Sequence, residues 1–422
     1  MERELQYVWK NKLFPEDGLT TVEGEPVFII DTGVANSDAG PDFFNAKVRI
    51  GNTVWVGNVE IHARASDWYA HGHQHDKAYD SVVLHVTGYN DRSVFRTSGE
   101  PIMQMVLQIP EKIQKNINWL LSRDTPVFCT ERIGAIQPIY LSDWKAALLT
   151  ERLERKAADI QRLLSLYGKD WNEVFYITLM RNFGFGANSD AFEWLAKSLP
   201  WKYILKHRSH PLQIEALLFG QAGLLEPDVP SEDAYYQALC REYAFLRKKN
   251  GLKPVEGFLF RKLRTRPVNF PHVRIAQVAA LWMRQDVLFS KILETDDFRE
   301  VQSFFEAEPT AYWQTHYHFL EPSVAKNKAI GRHAIHTILI NTVIPILFAY
   351  GKLKNKPVYN DRALSFLEKL PPERNHIVTL FEQAGISVRD AGDSQALVQL
   401  RRVYCEQKKC LYCRIGYRII DN

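Results

Sequence analysis

Residues 38–85 read DAGPDFFNAKVRIGNTVWVGNVEIHARASDWYAHGHQHDKAYDSVVLH, and the fold turns on how this stretch pairs with itself. Gly51-Asn52 is a two-residue hairpin signal, because both residues tolerate the positive φ of a tight turn. It folds residues 43–50 back on 53–63. In a regular hairpin Ile50 opposes Thr53 and Asp42 falls opposite Ile61, on the face away from Glu60. A one-residue bulge, expected at Gly57-Asn58, moves Asp42 opposite His62 and onto the face of Glu60. Glu60 and His62 share a face at the two-residue period of a strand, and Val59 and Ile61 take the other. Two carboxylates and an imidazole are therefore expected to converge at one end of the hairpin.

Outward from the hairpin, short β-rich runs at 26–30, 81–87 and 102–109 are separated by Gly, Asn and Asp turns. Helical patterns at 4–12 and 111–122 flank them. The texture then changes. Leu149, Leu153, Ala157, Ile160 and Leu164 form one stripe of a long helix starting near Ser142 or Asp143, and helical spacing persists to the C-terminal region. The expected organisation is an α/β domain over 1–135 and a mainly α-helical domain over 136–422, with residues 123–141 (Pro126, Gly134, Pro138) as the hinge.

At 422 residues, two or three domains are the prior. A hydrophobic fraction of 46% and a charged fraction of 24% exclude a disordered, collagenous or disulfide-framework chain. A net charge of +4 is too small to mark a polyanion binder by itself, so any such site needs local clustering. The start, Met-Glu-Arg-Glu-Leu-Gln, lacks a basic and an apolar region, so no signal peptide is expected. The longest apolar stretch, 337–350, is interrupted by Asn341 and Pro345 and falls short of the ~20 residues that span a bilayer. Five cysteines, three of them in the last 18 residues, suggest reduced thiols and a cytoplasmic protein.

Asp42, Glu60 and His62 suit a hard divalent cation. Mg²⁺ or Mn²⁺ takes one or two carboxylates, keeps several waters, and leaves positions for phosphate oxygens. Pro41-Asp42…Glu60-Ile61-His62 resembles the PD-(D/E)XK motif of the restriction-endonuclease-like nucleases. The resemblance implies a mixed sheet of that type, Asp42 and Glu60 as metal ligands, and His62 where the superfamily has its catalytic lysine. A histidine there departs from the pattern. It could serve as a base, act as a further ligand, or mark lost catalysis. Over the whole chain, the segments DAGPDF, GNVEIH, SDWYAHGHQHD, LHV, RPVNFP, NTVIPILFAYG and CLYCRIG resemble the bacterial domain-of-unknown-function 2851 family, which implies membership and brings no activity with it.

Three further clusters carry chemistry. His71, His73, His75 and Asp76 form H-x-H-x-H-D, similar to the H-x-H-x-D-H of metallo-β-lactamase-like hydrolases; His71, His73 and Asp76 are secondary metal candidates, for Zn²⁺ or for the Asp42–Glu60 ion. His85, alternating with Val82, Leu84 and Val86, is expected on the face opposite them as a structural histidine. Cys405, Cys410 and Cys413 give C-x4-C-x2-C, the spacing of three iron–sulfur ligands, with Cys129 as the candidate fourth for a cluster or Zn²⁺. Arg261, Lys262, Arg264 and Arg266, interleaved with phenylalanines, are candidate nucleic-acid contacts. The leading expectation is a Mg²⁺- or Mn²⁺-dependent nuclease acting on DNA or RNA, with no membrane partner. A zinc-dependent hydrolase using the 71–76 cluster, and a non-catalytic nucleic-acid-binding or scaffold protein on a decayed nuclease fold, stand beside it.

Overall fold

The computed structural model describes residues 1–36, 38–226, 232–263 and 265–421. The chain forms two compact units. The first comprises Met1–Trp144, Thr379–Ser387 and the C-terminal residues from Leu400; the second comprises Lys145–Val378 and Val388–Gln399. The chain thus leaves the first unit at Trp144 rather than near 135. The C-terminal cysteines, grouped by sequence with the helical region, belong with the sheet.

The first unit is built on a six-stranded mixed sheet. Helix α1 (Glu2–Lys10) precedes β1 (Val27–Asp31), β2 (Val34–Ala35), β3 (Phe43–Ile50) and β4 (Thr53–Arg64). A short helix α2 (Asp67–Ala70) leads to β5 (Val82–Tyr89), β6 (Gln104–Val106) and helix α3 (Glu111–Leu121). The order is β1-β3-β4-β5-β6, with β2 paired to β3. Pairing is antiparallel through β4 and parallel from β4 to β6. Leu5, Val8 and Trp9 form the buried stripe of α1 at i, i+3, i+4 spacing, joining Val48, Val59, Ile61, Leu84 and Val86 in one core. Each such side chain, fully buried, contributes ~1.5–3 kcal/mol.

The hairpin turns at Gly51-Asn52 with Ile50 opposite Thr53, as its sequence demands. The bulge lies on the other strand from the one expected. Pairing runs regularly to Ala46 opposite Gly57 and resumes at Phe43 opposite Val59, so β3 carries the extra residue. Asn45 takes a positive φ of 55° there, and its N–H donates to Asn58 Oδ1 at 3.2 Å. Either placement turns Asp42 toward Glu60's face. Gly57 serves close approach instead: a Cβ there would meet Val83 Cγ1 at 2.4 Å and the Ser81 carbonyl at 2.8 Å. Residues 53–56 and 59–63, which look like two runs in sequence, are one continuous strand.

At its C-terminal end the chain comes back to this unit. Helix Arg414–Asp421 buries Ile415, Ile419 and Ile420, and Asn116 Nδ2 on α3 donates to the Ile420 carbonyl at 3.1 Å. The second unit is helical, opening with Pro138–Leu166, most of which lies in it. Its helix Arg332–Leu353 is long and apolar enough to cross a membrane by composition, but 78% of the apolar window is buried within the protein. A π-helical turn at Leu339–Val343 accommodates Asn341 and precedes Pro345. The helical spacing that runs through 273–295 belongs to two helices, Pro271–Arg284 and Leu288–Glu294, broken where Gln285 turns extended.

Candidate metal centre

Glu60 and His62 emerge side by side on β4, and both are buried. Asp42, one residue before β3, lies beside them. Its backbone N–H donates to Glu60 Oε2 at 3.0 Å, while its own Oδ2 accepts from the Ile61 N–H at 3.0 Å. Gln6 on α1 holds Oδ1 from the other side at 2.9 Å. Burial, and then the Glu60 charge, hold the Asp42 carboxyl well above the usual carboxylate range. A buried carboxyl next to a second carboxylate is held toward its protonated form.

The segment after β4 brings two more imidazoles. Asp67 Oδ2 accepts the Arg64 N–H and Asp91 accepts both Ser66 N–H and Oγ–H, pinning the start of the 66–80 loop. His71 closes α2. Gly72 then takes a φ of 80°, and His73 opens the next helical turn. This left-handed residue reverses the chain, so that His71 and His73 face one point. Trp68, fully buried, sets its ring 5.3 Å from both the His73 and His85 rings, and Tyr79 stacks on His73 at 3.7 Å.

The ligand atoms of His62, His71 and His73 lie within 4.8 Å of one another. His62 Nε2 is 3.1 Å from His71 Nδ1; Glu60 Oε1 is 3.5 Å from His62 Nε2 and 3.3 Å from His73 Nε2. Four ligands at ~2.0–2.1 Å on the corners of a tetrahedron stand ~3.3–3.4 Å apart, so these separations are edges of a transition-metal coordination shell. His73 Nε2 is buried with no hydrogen-bond partner among the described residues. Such an atom needs one.

His85 completes the arrangement from β5. Parallel pairing sets it beside Glu60, and its Nε2 is 2.9 Å from His62 Nδ1. It therefore lies on the face of Glu60 and His62, away from Leu84 and Val86, as its alternation with them predicts. If His62 carries its proton on Nδ1 and donates to His85, its Nε2 lone pair points at His71 and Glu60. That is how a second residue fixes the tautomer of a ligating histidine. Burial, then neighbouring imidazoles, push His62 down to about 2 and His85 to about 3, so both are neutral.

The other expected residues fall elsewhere. Asp76 caps the turn Lys77–Tyr79 by accepting the Ala78 N–H, and His75 is exposed, so neither joins the cluster. Cys129, Cys405, Cys410 and Cys413 line one small pocket with no disulfide, and burial and each other's proximity push Cys129 and Cys405 up. Four thiols are a donor set for Zn²⁺ or an iron–sulfur cluster. Arg261, Lys262 and Arg266 are exposed on a loop of the second unit, and Arg264 lies outside the described residues. Sequence reading missed Gln6, Glu2, Trp68 and Tyr79. Glu2 is close enough for the charges of His71 and Glu60 to act on it, and its i, i+4 spacing to Gln6 was the available signal.

Residues 2–376 match the family described as "Protein of unknown function (DUF2851)", and the chain belongs to it. No curated protein and no solved structure matches the chain.

Proposed function

We propose that the chain is a metal-dependent nuclease whose ion is held by Glu60, His62, His71 and His73, with Asp42 beside it. The observation that carries the metal is the convergence of three imidazole nitrogens and Glu60 Oε1 at coordination-shell separations. Three nitrogens favour Mn²⁺ or Zn²⁺ over Mg²⁺, which prefers oxygen. The carboxylate pair on a bulged hairpin, with a helix before it and a parallel strand after it, supports the restriction-endonuclease-like reading over other hydrolases. Bound there, such an ion would acidify a water and offset charge on a phosphodiester.

The protein's residues divide the work. His62, with Nδ1 against His85 and Nε2 facing His71 and Glu60, is a ligand rather than the base the superfamily lysine would suggest. His85 holds its tautomer. Asp42, fixed by Gln6 and the Ile61 N–H, borders a cavity and orients the attacking water. The histidine-based hydrolase and the nuclease thus become one reading, with His62 and Glu60 in place of Asp76. Free thiols suit a reducing cytoplasm.

The test is a screen of single-stranded, double-stranded and RNA substrates with Mn²⁺, Zn²⁺ or Mg²⁺. Wild type should cleave with Mn²⁺ in preference to Mg²⁺, and Asp42→Ala should lose ~10²–10⁴-fold in rate. Wild type inert with every ion would make the scaffold alternative the better account.

A further inference from the structure

Beside Asp42 lies a cavity of about 330 Å³. One wall is the stripe Arg3, Gln6, Tyr7 and Lys10 of α1, residues at i, i+3, i+4 and i+7 that share a helix face. Another is Tyr412 and Arg414 from the C-terminal segment. The chemistry of this lining is one-sided. Arg3 and Lys10 are exposed and have no carboxylate partner among the described residues. Tyr412, 63% exposed, offers a ring on which a base can stack.

From this we infer that the cavity receives the phosphate-bearing terminal nucleotide of a nucleic-acid strand, with Arg3 and Lys10 on the phosphate and Tyr412 against the base. The inference rests on the nuclease reading and narrows its substrate to strand ends. The size fits, since small-ligand pockets start at ~300 Å³ and this one holds about a single nucleotide. Asp42 is the one carboxylate in the lining, and each of its oxygens accepts one hydrogen bond, from Gln6 and from the Ile61 N–H. Its own N–H reaches Glu60, so a nucleotide seated here would lie next to the metal centre.

Fluorescence anisotropy in EDTA tests binding apart from cleavage. The probes are one labelled single-stranded oligonucleotide with a 5′-phosphate, a 3′-phosphate or hydroxyls at both ends. Wild type should bind one phosphorylated form at least fivefold more tightly than the hydroxyl form, and which one identifies the end recognised. Arg3→Ala/Lys10→Ala, on the exposed helix surface, should reduce that preference to none. Equal binding of all three probes by wild type, or a preference intact in the double variant, would overturn the assignment. A phosphate preference without cleavage under any metal would leave the pocket standing and remove the nuclease. Cleavage of closed circles as fast as linear strands would keep the nuclease and remove the pocket.

Discussion

Glu60→Gln should lower Mn²⁺-dependent turnover by ~10³-fold or more while leaving the fold intact, because it removes an ion ligand without removing volume. The geometry gives this substitution a definite orientation. The Asp42 N–H needs an acceptor where Oε2 now stands, so the amide oxygen of glutamine takes that place. Its NH₂ then replaces Oε1, 3.3 Å from His73 Nε2 and 3.5 Å from His62 Nε2, and presents donors where an ion needs a lone pair. The new amide can donate to the unpartnered His73 Nε2, so thermal stability should hold or rise even as metal affinity collapses. His85→Gln is the graded contrast. It disturbs only the group that fixes His62, and a ten- to hundredfold loss of affinity is the scale for such second-layer residues. Metal titration and steady-state rates on both variants check the ordering. A Glu60→Gln protein with wild-type activity would remove the ion from this place.

Trp68→Ala should destabilise the first unit by ~3–5 kcal/mol, the cost of deleting a fully buried large ring. No hydrogen bond is lost with it, since the indole Nε1 has no partner among the described residues, so the penalty is one of packing. The ring also sits edge-on to His73 and to Tyr79, at 5.3 and 5.8 Å, and supports His85 at 5.3 Å. The cavity left behind would free the imidazoles it supports, and metal affinity should fall together with stability. Denaturant unfolding provides the number. Trp194→Ala, at a ring 47% exposed, is the comparison and should cost far less. Equal losses for the two would mean that Trp68 does not support the site.

Local chemistry made part of this legible. The Gly51-Asn52 turn and the two-residue alternation put Asp42, Glu60 and His62 together, and the H-x-H spacing marked two imidazoles that join them. What the sequence could not reveal was non-local. That His85 pairs with Glu60 and reaches His62 depends on the parallel register of β4 against β5, and no short-range pattern encodes that register. The bulge was assigned to Gly57-Asn58 because glycine tolerates a positive φ, but Gly57 is needed for its missing Cβ and Asn45 took the left-handed position. Asp76 looked like a ligand because it follows three histidines, whereas an aspartate two residues before a free N–H is also a cap. The return of the C-terminal helix to α3 is a contact across some 300 residues that periodicity cannot anticipate, although the thiol spacing did single out Cys129 as the partner of the three C-terminal cysteines it lies beside.

The most direct measurement of the metal centre is Mn²⁺ binding to the metal-free protein, followed by the loss of the free-ion electron paramagnetic resonance signal. Wild type should take up one Mn²⁺ per chain at the histidine–Glu60 cluster, and His71→Ala/His73→Ala, folded by circular dichroism, should take up none. Uptake that is the same in both proteins, or absent from wild type at millimolar Mn²⁺, would contradict the assignment of this cluster as the metal site.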